Sequence, residues 1–167
     1  MLSVGIFNGY FPYTLEESIK KIKALGFTSV QLDLSFKDMD LAYTSITREK
    51  CHTIRDAFRD ANLPIVAISG YTNIVHPNPA KRKENLDQLK TIIKYARDLG
   101  CPYVVSETGT FNPDSDWVYH PKNGTEEAYE EVCSIITDIV KFAYDNGAVF
   151  LVENYVNNVI GSVNQVL

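Results

Sequence analysis

Hydrophobic positions along this chain repeat one phrase four times: an amphipathic helical stretch, a short turn, then an unbroken apolar run. The phrase reads KIKALGFTSVQLDL (Lys21 to Leu34), FRDANLPIVAIS (Phe58 to Ser69), YARDLGCPYVVSE (Tyr95 to Glu107) and FAYDNGAVFLVEN (Phe142 to Asn154). Its turns fall at Gly26, Asn62, Gly100 and Gly147, roughly forty residues apart. Helices alternating with continuous apolar strands predict a parallel α/β sheet whose faces are covered by those helices. Such folds build their sites at the carboxyl ends of the strands.

The local signals divide the chain into elements. A short first strand, Val4 to Phe7, runs into a polar and aromatic loop, Asn8 to Tyr13. The first helix opens at Thr14, where Glu17 completes a capping box. Leu15, Ile19 and Ile22 form its inner stripe, and Gly26 closes it as a left-handed cap. Strand two spans Thr28 to Leu32. Helix two covers about Thr47 to Ala61, with Cys51, Ile54, Phe58 and Ala61 at helical spacing. Strand three is Ile65 to Ser69. Asn78 and Pro79 suit the cap and first position of helix three, whose inner face reads Leu86, Leu89, Ile93 and Ala96. Strand four is Tyr103 to Ser106, and helix four starts near Thr125. Strand five is Val149 to Val152, and Gly161 to Leu167 reads as the opening of another helix. The loop from Glu107 to Gly124 is the longest, and loops of that length in compact domains are usually functional or mobile.

Two architectures accommodate five such strands. One is an open, doubly wound sheet of the flavodoxin type; the other is a (β/α)₈ barrel, about 250 residues when complete, represented by five of its units. Periodicity alone leaves both open. Either way, residues 1–167 read as one domain, with no linker or low-complexity tract between units.

Composition narrows the function. Of the 167 residues, 45% are hydrophobic and 22% charged, the mix of an ordinary soluble domain. The net charge of −5, with acids and bases interleaved, provides no basic stripe for nucleic acid and no polybasic membrane patch. The opening MLSVGIFNGYF lacks a positive n-region and a long apolar core, and no apolar run approaches the roughly 20 residues that span a bilayer. Cys51, Cys101 and Cys133 share no metal-ligand or CxxC spacing and read as reduced, packed thiols. A cytoplasmic location is therefore expected.

Candidate chemistry concentrates at the strand ends. Glu153 follows an apolar run, and a carboxylate there is costly unless a cation, a hydroxyl or a capping group pairs with it. Glu107 repeats the pattern at the end of strand four, where the amides of its own loop offer a simpler partner. His76 lies in a Pro-rich loop, where a neutral imidazole can bind a metal or a hydroxylated ligand, or do neither. Tyr10, Phe11, Tyr71 and Trp117 fall on the same rim, suited either to stacking on sugar faces or to packing over a barrel end. There is no GxGxxG, no GxxxxGK[ST] and no GxSxG, so nucleotide binding and serine-hydrolase chemistry find no support. A receiver-like open sheet would want acids after the first strand and Lys after the fifth, where this chain has Asn8 and Glu153.

The opening SVGIFNG, the strand GFTSVQLDL, the segment AISGYTNIVHPNPAKR and the strands VVSETGTF and FLVENYV together resemble the sugar phosphate isomerase/epimerase family, the xylose-isomerase-like TIM barrels. The resemblance implies a (β/α) barrel with a divalent metal, Mn, Mg, Co or Zn, at its carboxyl end. It implies proton transfer next to the carbonyl of a sugar or sugar phosphate, with the metal stabilising the enediolate. Glu153 matches the first metal ligand and one acid/base. His76, Glu107, Tyr71 and Asn8 fall where related barrels contact substrate. Three ligand-bearing strands of the family pattern have no counterpart here, and a lone carboxylate with a distant His makes a poor Mg²⁺ or Mn²⁺ site. The expectation is an incomplete barrel, inactive by itself and holding metal poorly or not at all. It is either a piece of a longer chain or a unit that self-associates through open sheet edges. A non-catalytic half-barrel that binds a polyol is the alternative.

Overall fold

The computed structural model describes residues 3–165. Five strands alternate with four helices: β1 (Gly5–Phe7), α1 (Leu15–Ala24), β2 (Ser29–Leu32), α2 (Arg48–Asp60), β3 (Ile65–Ser69), α3 (Pro79–Tyr95), β4 (Tyr103–Glu107), α4 (Glu126–Asp145) and β5 (Val149–Glu153). Every pairing is parallel and the sheet order is β1-β2-β3-β4-β5. A flavodoxin-type sheet would place β2 and β3 on opposite sides of β1. Sequential order is that of a barrel wall, so these are five consecutive strands of the TIM type with the four helices that join them.

Local chemistry sets the boundaries. Thr14 and Glu17 form the capping box of α1, and Thr47 and Thr125 cap α2 and α4 through their hydroxyls. Asn78 accepts from the amides of Ala80 and Lys81 at the start of α3, with Pro79 in the first turn. The four helix-to-strand turns need a left-handed residue, and Gly26, Gly100 and Gly147 supply it, with Asn62 in the same role at φ 53.

The core lies between the sheet and the helices. Ile22, Val30, Leu32, Ile54, Phe58, Ile68, Leu89, Ile93, Val104 and Ile139 are fully or almost fully buried there. On α3 the expected inner residues Leu89, Ile93 and Ala96 are fully buried and Leu86 packs against the core margin, and the buried face also takes in Asn85 and Ile92. Asn85 is admitted because its amide donates to the Asn73 carbonyl at 2.8 Å. The opposite face of the sheet is bare toward β5. Tyr103, Val149 and Leu151 keep 45%, 46% and 40% of their surface exposed, and β1 and β5 are each paired on one side only.

The long β4–α4 loop is pinned by buried polar side chains. Asn123 accepts from the Phe111 amide and donates to the Thr110 hydroxyl and the Asn157 carbonyl. Asn158 accepts from the Gly109 amide at 2.7 Å. Of the expected final helix, Val163–Gln165 forms one 3₁₀ turn, and residues 166–167 lie outside the described residues. Cys51 and Cys101 are buried free thiols, and burial pushes Cys51 up to about 11, as packed, unreactive thiols require. No described helix is long and apolar enough to cross a membrane.

The two sheet faces differ in what they contribute. Leu89→Ala, on the helix side, is expected to cost about 2–5 kcal/mol in urea denaturation, and Leu151→Ala, on the bare face, less than about 1 kcal/mol. Equal losses would contradict the assignment of the core.

Candidate functional site

Parallel register carries the site. Tyr103 pairs with Val149, Val105 with Leu151, and Glu107 with Glu153. Side chains alternate across a strand, so Glu107 and Glu153 point to the same bare face as neighbours at the carboxyl end of the sheet. From the end of β3, the Tyr71 hydroxyl donates to Glu153 Oε2 at 2.5 Å. Gln31 on β2 donates from Nε2 to that same hydroxyl at 2.9 Å and to Ser69 Oγ at 3.2 Å. A chain of contacts thus runs across four strands: Gln31, Tyr71, Glu153 and, beside it, Glu107. The Phe7 ring packs edge-on to Tyr71 at 6.1 Å and limits how far the phenol can swing.

The electrostatics follow from this arrangement. Burial, aided by the charge of Glu153, raises the Glu107 carboxyl above its ordinary range. Tyr71 is pushed up to about 12, first by burial and then by its hydrogen bond to Glu153. Its phenol therefore stays protonated near neutrality and remains a donor. One carboxylate is oriented by a fixed donor while its neighbour binds its proton more tightly than usual. Two carboxyl groups in different environments are the arrangement that separates an acid role from a base role.

Around Glu107, Tyr71, Asn73, Gly109, Asp116 and Trp117 enclose a small pocket of 70 Å³. Asn73 braces it by donating from Nδ2 to Asp116 Oδ1 and to the Thr110 carbonyl, both at 2.8 Å. Gly109 has φ 83, and a Cβ there would run into Asn73, so the position admits only glycine. Trp117 remains 58% exposed at the rim, its ring edge-on to Tyr155.

The residues singled out from the sequence are divided by the structure. Tyr71, Glu107 and Glu153 come together. Asn8 stands apart: it is fully buried, its Oδ1 accepting from the Asp33 amide at 2.6 Å and its Nδ2 donating to the Asp33 carbonyl at 3.0 Å. It staples the end of β1 to the end of β2. His76 lines neither pocket that contains Tyr71; its Nδ1 accepts from the Asn78 amide at 3.1 Å, within its own turn. Tyr10 is 85% exposed and packs edge-on to Phe7 instead of facing the carboxylates. Gln31 was not foreseen. Its signal is a lone amide inside the apolar run SVQL, on the strand face turned away from the core.

The carboxylates are donors of the right kind for a hard divalent cation, but they are too few to close a site. Among the described residues no group of three His, Cys, Asp or Glu side chains converges.

Comparison with known proteins places this arrangement in context. The family described as Xylose isomerase-like TIM barrel matches residues 19–167. No curated protein matches the chain. Among solved structures, 3-keto-D-glucoside 4-epimerase from E. coli shares 18% identity with a TM-score of 0.67, over 95% of this chain and 58% of its own. A xylose isomerase-like TIM barrel protein from Mycobacterium smegmatis, in complex with magnesium, shares 16% at TM-score 0.70, over 99% and 61%. D-psicose 3-epimerase with D-tagatose from Clostridium cellulolyticum H10 shares 16% at TM-score 0.67, over 99% and 59%. At such identities the likeness is one of fold. The chain spans about three fifths of the length of these structures.

A raised Glu107 has a consequence for stability. The folded state prefers the protonated carboxyl, so stability falls as pH rises from the ordinary carboxylate pKa through the raised folded value. Glu107→Gln removes that loss. It is expected to stabilise the fold at pH 7 and to be neutral below the ordinary carboxylate range, by urea denaturation at both pH values. Destabilisation at pH 7 would show that the charge is held favourably.

Proposed function

This chain belongs to the xylose isomerase-like TIM barrel family, and from that premise we propose that it contributes part of a sugar isomerase or epimerase site. The reaction is proton transfer next to a carbonyl, on a small sugar or sugar phosphate. The observation that carries the reading is the Glu107–Glu153 pair, side by side on adjacent strand ends with one member gripped by Tyr71.

Each residue has a part. Tyr71, held by Gln31, fixes Glu153 through Oε2 and leaves Oε1 to take or return a proton at the substrate carbon. Glu107 stands beside that carboxylate on the same face and accepts a hydrogen bond from a substrate hydroxyl, keeping the substrate against Glu153. A divalent cation such as Mg²⁺ or Mn²⁺, when bound, supplies Lewis acidity to the carbonyl and hydroxyl oxygens. Glu153, with Glu107 beside it, would hold that cation. The further ligands and the second proton-transfer group come from outside the described residues, and the chain alone is inactive.

A second reading is favoured by the bare apolar face at Tyr103, Val149 and Leu151 and by the single-sided pairing of β1 and β5. In it, copies of residues 1–167, one partial-barrel domain each, associate through those edges and bind a polyol without turnover. Light scattering separates the two readings, because a monomer at high concentration contradicts the second.

The direct test follows the ¹³C resonances of the side-chain carboxyls. With Mg²⁺ present, D-fructose is expected to shift both Glu107 and Glu153, and Glu153→Gln to abolish the Glu107 response. No movement of either carboxyl would contradict the reading, and epimer formation by the pure chain would contradict its inactivity alone.

A further inference from the structure

A 420 Å³ cavity opens beside Tyr71, between the segment that follows β2 and the inner side of α3. That is within the size range of small-molecule sites. Asp33, Ser69, Tyr71, Gln88 and Thr91 give it a polar wall, and Phe36, Ile46 and Ile92 an apolar floor.

Its charge is of one sign. Asp33 and Glu84 are the charged residues that line it, and no lysine, arginine or histidine does. Glu84 is engaged at the rim by Lys81 at 3.3 Å, with both side chains half-exposed. Asp33 is different. Its backbone amide and carbonyl are spent on Asn8, and its partly buried carboxylate has no partner among the described residues. Nor does α3 offer an anion cradle here. The Asn78 side chain already takes the amides of Ala80 and Lys81, and the cavity meets the helix only from Glu84 onward.

We propose that this cavity is the subsite for the uncharged polyhydroxy end of a substrate, and that it rejects a phosphate at that end. The inference rests on the sugar-site reading and decides within it between a free sugar and a sugar phosphate. Hydroxyl groups both donate and accept. They match the accept-only Asp33 carboxylate, the Thr91 hydroxyl, whose own proton goes to the Asp87 carbonyl at 2.8 Å and which is left to accept, and Gln88, whose amide both donates and accepts, while the apolar floor receives the carbon chain. A phosphate carries about −1.5 to −2 charge near neutrality and would meet the unpaired Asp33 carboxylate inside the cavity, where no lining residue is cationic and the rim Lys81 is already paired with Glu84. Tyr71 joins the two regions, since it lines this cavity and its hydroxyl holds Glu153. A chain seated here therefore delivers its carbonyl end toward the carboxylate pair.

Backbone amide titrations with D-fructose and D-fructose 6-phosphate test the assignment. D-fructose is expected to move the amides of Ser35, Tyr71 and Thr91 together with those of Glu107 and Glu153, and the phosphate to bind about tenfold more weakly or worse. Asp33→Asn should narrow that gap, and Asp33→Lys should close or reverse it. If D-fructose moves Glu107 and Glu153 and leaves the cavity amides still, or if the phosphate binds equally well, the subsite is overturned and the carboxylate-pair reading survives. If the cavity amides move and the strand ends do not, the subsite stands and that reading fails. If neither sugar moves any amide, the subsite is overturned.

Discussion

Register between β4 and β5 sets the partly buried Glu107 directly beside the exposed Glu153, so the Glu107 charge is opposed first by burial and then by its neighbour's charge. Much of what surrounds them answers that repulsion. Tyr71 comes from β3 to donate to Glu153, Gln31 comes from β2 to hold Tyr71, and burial, with the Glu153 charge second, raises the Glu107 carboxyl.

The same face explains the distribution of apolar surface. Helices α1 to α4 cover one side of the sheet and complete a dry core, while the side bearing the carboxylates stays open at Tyr103, Val149 and Leu151. In a closed barrel that inner side is filled by layers of side chains from all eight strands. Five strands supply part of those layers, and the polar site sits at the carboxyl edge of the part supplied.

Much of the fold was legible because its signals are local. The capping box at Thr14, the Asn78–Pro79 start and the left-handed turns at Gly26, Asn62, Gly100 and Gly147 each depend on a few adjacent residues, and each appears where the sequence puts it. Strand order was not legible, since flavodoxin and barrel sheets share one periodicity and differ only in which strands touch. In the site, the positions of Glu107 and Glu153 could be read from strand ends, whereas their partners could not. Tyr71 and Glu153 are 82 residues apart in sequence, and no local pattern announces their bond. Asn8 and His76 show the converse. Both are polar residues beside strand ends, and the structure spends Asn8 on stapling two strands and His76 on its own turn. On α3 the apolar stripe was legible at Leu89, Ile93 and Ala96, whereas Asn85 was not, because a buried amide paired with a carbonyl looks polar in sequence and behaves as core.

Titration of the Glu107 side-chain carboxyl by ¹³C NMR, in the wild type and in Glu153→Gln, tests the central coupling most directly. In the wild type the midpoint is expected above the ordinary carboxylate range. That midpoint is expected to fall in Glu153→Gln without returning fully to the ordinary range, because burial remains when the neighbouring charge is gone. A wild-type midpoint in the ordinary range, or one that Glu153→Gln leaves unmoved, would contradict the claim that these two carboxylates form one electrostatic unit.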